Sequence, residues 1–207
     1  MSPAKPAKEA WRISPDKTAL VVIDMQKMFV ETDICVGARD LVPKINELAA
    51  MCRKVKIPVI FVSARSDLSD PGLRADMDVR PPSEISARRG IDGIRFCDGL
   101  DVTPDDFIIP KKRYSALIRG SSVLEQLLRG LGKDSFIICG VLTDVCVGTT
   151  TTDGMMLGFK VFLPGDLTAT ASEERQKVAL QVYDRFARIT TFSEVMKELS
   201  ALATAVV

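Results

Sequence analysis

Short apolar runs recur along the chain and give the first indication of its architecture. Each run is rich in Val, Ile and Phe, and each is short and bounded by polar or turn-forming residues, which is typical of a buried strand. The runs predict six strands, at residues 18–24, 58–64, 107–110, 135–141 and 160–165 and near residue 190.

Several segments between these runs have the spacing of an amphipathic helix. One predicted helix follows the first strand, a second covers residues 123–131, and a third covers residues 193–202. The first is marked by apolar residues at steps of three and four, namely Leu41, Ile45, Leu48, Ala49, Cys52 and Val55. In the last helix a similar row fits the core and a subunit interface equally well; it comprises Val195, Leu199, Leu202 and Val206.

Buried strands that alternate with helices predict a mostly parallel sheet with helices on both faces. We therefore expect an α/β protein with a doubly wound, three-layer fold and a six-stranded sheet in the order 3-2-1-4-5-6. A chain of 207 residues is long enough for one domain with a single core. We assign this domain to residues 17–207, preceded by a poorly ordered N-terminal arm at residues 1–16.

Residues 65–104 interrupt the alternation of strands and helices. The segment is rich in Pro and Gly and shows little periodicity. Because so long a loop in a compact domain is usually functional, we expect a lid or a rim of a binding site, with a mobile surface insertion as the alternative.

Charge and cysteine content narrow the partners and the compartment. With 28 Lys and Arg against 27 Asp and Glu, the net charge is +1, which gives no attraction for nucleic acid. The first residues lack a signal-peptide core, and no apolar stretch is long enough to span a bilayer. Five irregularly spaced cysteines form no disulfide framework. We therefore expect a cytoplasmic protein without nucleic-acid or membrane partners.

The absence of histidine is a sharper constraint on chemistry. Ser-His-Asp and Cys-His mechanisms, HExxH metalloenzymes and nearly all catalytic zinc sites need an imidazole as base or ligand. Catalysis would therefore depend on Asp, Glu, Lys, Cys, Ser or Tyr. We expect neither a metal nor a cofactor.

Polar residues follow three of the predicted strands at the edge of the sheet where ligands bind in parallel folds. Asp24 ends the first strand, Lys111 and Lys112 follow the third, and Cys146 lies after the fourth, at an expected helix start that would stabilise a thiolate. Alone, such residues are usually a turn former, solvated surface and a small buried hydrophobe. Together they indicate a catalytic site.

The segments around these residues resemble a known family. ALVVIDMQKMF, IIPKKRYSAL and IICGVLTDVCVGTT are similar, in this order, to three signature segments of the isochorismatase-like cysteine hydrolases. The resemblance covers residues 18 to about 170 and implies a catalytic set of Asp24, Lys111 and Cys146. Lys111 rather than Lys112 fits, because it stands two residues before Arg113 as in the family pattern.

The resemblance also implies further parts of the site. Phe29 and Tyr114 match aromatic residues that line the family's pocket. A cis peptide bond between Val141 and Leu142 would turn the Leu142 N–H inward, where it would form an oxyanion hole with the N–H of Cys146. The family's frequent dimers and tetramers imply a homo-oligomer.

Within the family, the lack of histidine argues against nicotinamidases, which use a histidine-containing metal site. The strings look most like the branch that acts on carbamoyl or ureido acids, such as N-carbamoylsarcosine or ureidoacrylate. A substrate carboxylate would pair with an arginine, for which Arg65, Arg89, Arg95 and Arg113 are candidates.

The sequence therefore predicts a cysteine hydrolase that cleaves a C–N bond of a small amide, carbamoyl or ureido compound through a thioester, releasing ammonia or amine. Two alternatives remain: an isochorismatase-type vinyl ether hydrolase and a noncatalytic fold-mate that binds a small molecule. A thiol redox sensor would need a resolving cysteine, and Cys139 is expected to be buried in the fourth strand.

The expected distance between the strands that carry Asp24 and Lys111 is large for a direct contact. In the expected sheet order the third strand lies two positions from the first, about 10 Å away. We therefore expect the chain after Pro110 to bend back over the sheet, so that Lys111 can reach Asp24.

Overall fold

The computed structural model describes residues 7–65 and 94–205. Within this part of the chain, seven strands pair in parallel and form one sheet in the order β3-β2-β1-β4-β5-β7, with the short β6 beside β4. The strands are β1 (Thr18–Ile23), β2 (Val59–Ala64), β3 (Phe107–Lys111), β4 (Ser135–Val141), β5 (Lys160–Pro164), β6 (Thr168–Ala169) and β7 (Arg188–Thr190).

Helices cover both faces of this sheet. They are α1 (Lys27–Val30), α2 (Ala38–Lys54), α3 (Leu124–Gly130), α4 (Gly148–Met156), α5 (Glu173–Tyr183) and α6 (Phe192–Ala205). Side chains alternate along β1, so that Leu20 and Val22 face the core under α2 and α6, while Val21 and Ile23 face the core under α3, α4 and α5. All six residues of β1 are buried, as expected for a central parallel strand.

The predicted three-layer fold and the order of its six principal strands are confirmed. The sequence did not indicate α5, because only Ala179 of its eleven residues is fully buried and its apolar pattern is correspondingly weak. It also did not indicate β6, which is two residues long and depends on its pairing with Gly140 and Val141 of β4.

Residues 7–16 pack on the rest of the described domain. Ile13 is buried, and the Trp11 ring meets the Phe162 ring edge-on with centroids 6.3 Å apart. The Ile13 N–H donates to Glu198 Oε2 at 3.2 Å, and Arg188 donates to the Trp11 carbonyl at 2.9 Å. Two apolar side chains and these hydrogen bonds hold the segment against the sheet and α6.

The apolar row of α6 contributes to the core. Val195 and Leu199 are buried beneath the helix, and Leu202 packs partly against the same cluster. Val206, the last member of that row, lies outside the described residues. No helix in the described ranges, α6 included, has both the length and the apolar character that crossing a bilayer requires.

Most of the long loop predicted at residues 65–104 falls at residues 66–93, outside the described part of the chain, and so does the candidate Arg89. The described end of this loop returns to the sheet. Phe96 bridges to Gln26 and packs its ring edge-on against Phe61, with centroids 5.7 Å apart. Residues 94–97 therefore border the carboxyl end of the sheet, where the polar residues lie.

Candidate active site

Asp24 is presented by a tight turn directly after β1. Its backbone has a φ of 52°, in the left-handed region that non-glycine residues seldom adopt. The Asp24 N–H donates to the Val62 carbonyl at 2.9 Å, and the Asp24 carbonyl accepts from the Gln26 N–H at 2.7 Å. These bonds hold the carboxylate at the end of the sheet, where it has no solvent exposure.

Lys111 reaches Asp24 across the end of β2. It is still the last residue of β3, in register with Ala64 of β2. Its Nζ lies 2.9 Å from Asp24 Oδ2 and donates to the Arg113 carbonyl at 3.0 Å. The expected bend of the chain after Pro110 is therefore wrong for Lys111. The lysine and aspartate side chains together span the width of the intervening strand, about 10 Å between the outer backbones.

Cys146 lies in a π-helical turn, Thr143–Val147, that joins β4 to α4. The Leu142 carbonyl accepts from the N–H groups of Val145 at 3.1 Å and Val147 at 3.0 Å, which closes the turn. Cys146 Sγ is 3.3 Å from Lys111 Nζ, and the cysteine is only 4% exposed. One ammonium thus contacts both the carboxylate and the thiol.

Gly140 allows β4 to approach β1 closely at this point. Its φ is 109°, and a Cβ on this residue would lie 2.1 Å from the carbonyl oxygen of Ile23. Any larger residue would therefore separate the strand end that leads to Cys146 from the strand end that leads to Asp24.

Burial and charge set the protonation states of the group. Burial raises the pKa of the Cys146 thiol and the Asp24 carboxylate raises it further, while the Lys111 ammonium acts in the opposite direction. Burial by itself would lower the pKa of Lys111, but the attraction of Asp24 outweighs it and the pKa is raised. At neutral pH the site therefore holds an ammonium beside a neutral thiol. The resting thiolate expected from a helix start is not favoured, because burial dominates.

The peptide bond between Val141 and Leu142 is cis. Within the described part of the chain, the hydrogen bonds include none that is donated by the Leu142 N–H. Leu142 precedes the turn that carries Cys146, so its N–H and that of the cysteine belong to one short stretch of backbone.

The other residues expected in the pocket lie around this centre. Phe29 is in α1 and packs partly against the core beneath α2. Arg113 provides the carbonyl that accepts from Lys111, and its guanidinium donates to the Lys112 carbonyl at 3.0 Å. Tyr114 follows with 48% of its surface exposed. Substrate contacts by Phe29, Arg113 and Tyr114 stay predictions.

Gln26 is a buried polar residue at this edge of the sheet that the sequence did not single out. Its side chain accepts from the Ala64 N–H at 2.8 Å and donates to the carbonyls of Ala64 at 3.2 Å and Ile94 at 2.6 Å. It thereby ties the turn of Asp24 to β2 and to the returning loop. Its position two residues after the aspartate was visible in the sequence, but its burial was not.

Candidate metal ligands do not cluster in the described residues: no group of three or more Cys, Asp and Glu side chains is placed to hold an ion. The polar centre consists of one carboxylate, one ammonium and one thiol. Such a set suits proton transfer and nucleophilic attack.

Comparisons with known proteins give this geometry a context. Several curated relatives match most of the chain. Enterobactin synthase component B of Escherichia coli (strain K12) is 30% identical over 192 residues, which cover 91% of this chain but 66% of that protein's length. Ureidoacrylate amidohydrolase RutB of Pseudomonas syringae pv. syringae (strain B728a) is 32% identical over 205 residues, covering 86% of this chain and 80% of that protein.

A solved structure and a family model extend the similarity to the whole fold. The crystal structure of a cysteine hydrolase from Pseudomonas syringae pv. phaseolicola 1448A superposes with a TM-score of 0.80 at 25% identity, covering 93% of this chain and 96% of that one. The model of the isochorismatase domain matches residues 18–194, from the first residue of β1 into α6. The chain therefore belongs to the isochorismatase family.

Proposed function

We propose that this protein is a cysteine hydrolase that cleaves a C–N bond in a small amide, carbamoyl or ureido compound. The observation that carries the proposal is the position of Lys111 Nζ, 2.9 Å from Asp24 Oδ2 and 3.3 Å from Cys146 Sγ, with all three residues buried. Without histidine, covalent hydrolysis needs a nucleophile, a base and a positive charge. This buried site combines all three.

The first step activates the thiol. Because its pKa is raised, Cys146 keeps its proton until a base accepts it, and Asp24 is the neighbouring base. Transfer of the proton converts carboxylate and thiol into carboxylic acid and thiolate. The negative charge moves from oxygen to sulfur and stays beside the Lys111 ammonium, so no uncompensated charge is created in the buried site.

Acylation follows when the thiolate attacks the carbonyl carbon and forms a C–S bond. The resulting oxyanion is stabilised by the N–H groups of Leu142 and Cys146, and one such donor is typically worth about 3 kcal/mol. Asp24 then gives its proton to the departing nitrogen as the C–N bond breaks. Ammonia or an amine leaves, and the acyl group stays on sulfur as a thioester.

Deacylation uses the same residues in the reverse order. Asp24, again a carboxylate, takes a proton from a water molecule while the oxygen of that water attacks the thioester carbonyl. Collapse of the second oxyanion breaks the C–S bond and releases the acid. The Cys146 thiolate recovers a proton from Asp24, which restores the starting state.

The substrate class is supported by the relatives and by the absence of histidine. The similarity to a ureidoacrylate amidohydrolase, at 32% identity, favours a ureido or carbamoyl compound. Ureido and carbamoyl acids carry a carboxylate, and we assign Arg113 as the partner of that carboxylate. The rings of Phe29 and Tyr114 would flank the substrate. A guanidinium binds a carboxylate through two parallel hydrogen bonds.

A second candidate is hydrolysis of a vinyl ether such as isochorismate. It is favoured by the match to the isochorismatase domain and by the similarity to enterobactin synthase component B. This reaction proceeds by acid catalysis on the ether and has no need of a thiol. Asp24 would then act alone as the acid, and Cys146 would be a bystander.

The deciding experiment combines a substrate panel with one substitution. Ammonia release is measured with N-carbamoyl, ureido and primary amide compounds, and isochorismate hydrolysis is measured in parallel. Cys146→Ala should reduce amide turnover about a thousandfold or more, because it removes the covalent nucleophile. Cys97→Ala is the matched control, since Cys97 is also a buried free cysteine.

Each outcome separates the candidates. An amidohydrolase loses activity in Cys146→Ala and keeps it in Cys97→Ala. A vinyl ether hydrolase is active on isochorismate and retains most of that activity in Cys146→Ala. Failure to turn over any compound, together with saturable binding of one of them, would identify a noncatalytic binding protein and reject the proposal.

A further inference from the structure

The turn that carries Cys146 is held from outside the site by α5. Thr143, the first residue of the turn, is fully buried, and its hydroxyl donates to Gln176 Oε1 at 2.6 Å. Gln176 lies in the first half of α5, 33 residues further along the chain. A side chain on a separate helix thus contacts a side chain of the turn that carries Cys146.

The orientation of the Gln176 amide is fixed by its other contacts. Its Nε2 donates to the carbonyls of Gly165 at 3.0 Å and Thr168 at 3.1 Å, and it lies 3.1 Å from the Thr168 hydroxyl. Because two carbonyl oxygens can only accept, the nitrogen must face them and Oε1 must face Thr143. The Thr143 hydroxyl is therefore the donor, and the bond has one polarity.

The second residue of the turn is held by the same helix. Asp144 Oδ2 accepts from Arg175 Nε at 2.7 Å, and Asp144 Oδ1 accepts from the hydroxyl of Thr170. Tyr183, at the other end of α5, places its hydroxyl 3.4 Å from the Asp144 carbonyl. Contacts from the first and last turns of α5 thus hold the beginning of the π-helical turn. Of the two turn residues that make these contacts, Thr143 is fully buried and Asp144 is partly buried.

We propose that the Thr143–Gln176 hydrogen bond is a positioning device for the nucleophile and the oxyanion donors. Thr143 stands between Leu142 and Cys146, whose N–H groups are the two assigned donors, and three residues before the sulfur. A small shift of Thr143 would move all of these relative to Lys111. The inference rests on the proposed function, because positioning matters only if the turn performs chemistry.

Thr143→Val is the sharpest variant, because it replaces the hydroxyl with a methyl group of similar volume and leaves the donor contacts of Gln176 intact. We expect kcat to fall about tenfold while KM stays within about twofold, since the reacting groups and not the substrate contacts are displaced. Thr143→Ser keeps a hydroxyl at the same position and should recover most of the lost kcat.

Gln176→Met tests the bond from the other side. It removes the acceptor for Thr143 while preserving the length of the side chain, and it should also lower kcat with little change in KM. Gln181→Met is the matched control: it makes the same substitution on the same helix, at an exposed position. It should leave kcat, KM and the urea unfolding midpoint unchanged.

A readout that needs no substrate separates this inference from the proposed function. The rate at which iodoacetamide alkylates Cys146, located by mass spectrometry, is measured against pH. Lys111 is the neighbour that lowers the thiol pKa. If the turn shifts, this contact weakens, so the midpoint of the profile should move upward in Thr143→Val and Gln176→Met but not in Thr143→Ser or Gln181→Met.

The outcomes are distinct. If the wild-type protein hydrolyses no compound, the proposed function fails, while the alkylation profile still reports on the position of the thiol. The positioning role is overturned if folded Thr143→Val keeps the wild-type kcat and the wild-type alkylation profile. It is equally overturned if Thr143→Ser is as impaired as Thr143→Val, because a lost hydrogen bond would then not be the cause. Urea unfolding of every variant ensures that the measurements report on the folded protein.

Discussion

Lys111 Nζ lies 2.9 Å from Asp24 Oδ2 although β2 separates their strands. Both side chains are buried, so each charge depends on the other for its compensation. The third member, Cys146, adds no charge while it holds its proton. The resting site therefore has no net charge, and a proton can move from sulfur to oxygen without changing that total.

Removal of one partner of this ion pair should destabilise the fold. In Lys111→Met the Asp24 carboxylate is left buried without a cation, and breaking such a pair typically costs about 3–5 kcal/mol. Asp24→Asn combined with Lys111→Met removes both charges and should recover much of that stability, while hydrolysis stays abolished. Urea unfolding and ammonia release measure the two effects.

Lys112→Met is the matched control for this prediction. Lys112 is the exposed neighbour of Lys111, and its loss should change the free energy of unfolding by no more than about 0.5 kcal/mol. Equal unfolding midpoints for Lys111→Met and Lys112→Met would contradict the assignment of Lys111 to a buried pair.

Buried thiols other than Cys146 should make the protein less stable in alkali. Burial raises the pKa of Cys35 to about 12 and that of Cys97 to about 11, with nearby carboxylates adding to both shifts. The ordinary value for both is 9.0. The folded chain thus keeps protons that the unfolded chain loses above about pH 9. This stability is present below pH 9 and is lost as the pH rises through about 11 for Cys97 and about 12 for Cys35.

The decline is measured by urea unfolding under reducing conditions at about pH 8 and at about pH 10. A fully buried group would contribute about 1.4 kcal/mol per pH unit. Each of these thiols should contribute less, since solvent screens part of the effect. Cys97→Ala should show a shallower decline than the wild type. An identical slope in both proteins would rule out Cys97 as a contributor.

The buried cluster of Asp24, Lys111 and Cys146 could be anticipated because its parts are marked locally. Asp24 and Lys111 directly end apolar runs, and Cys146 follows one after a few residues. Parallel strands bring such ends to one edge of the sheet, so chain order alone indicates a shared site. The sequence could not indicate that Lys111 stays within β3, because the reach of two side chains across β2 depends on the three-dimensional register.

The parts that escaped prediction depend on contacts between distant residues. Gln176 is one of several polar residues in a weakly patterned helix, and its bond to Thr143 spans 33 positions. Trp11 and Ile13 are isolated apolar residues among charges and prolines, so the sequence does not show that they pack on the core and on Phe162. No local pattern records such partners, since each is created by the tertiary fold.

Trp11 offers a direct test of the ordered N-terminal segment, because it is the chain's single tryptophan. Its ring packs on Phe162, so its emission should be blue-shifted in the native protein and should shift to the red on unfolding. The urea transition followed by fluorescence should coincide with that followed by circular dichroism. A red-shifted native emission that does not respond to urea would mean that the segment is detached.

Gly140→Ala should damage both the fold and the site. The added Cβ would lie 2.1 Å from the Ile23 carbonyl oxygen, and the φ of 109° is unfavourable for alanine, so a loss of about 3 kcal/mol is expected. Gly132→Ala is the matched control: Gly132 has a φ of 70° with nothing within 4 Å of its Cβ position, so only backbone strain of about 1 kcal/mol applies. Urea unfolding compares the two variants.

Because β4 leads into the turn of Cys146, Gly140→Ala should also slow ammonia release under conditions where it is fully folded, whereas Gly132→Ala should not. Equal stability and equal activity of the two variants would show that the close approach of β4 to β1 does not set the geometry of the site.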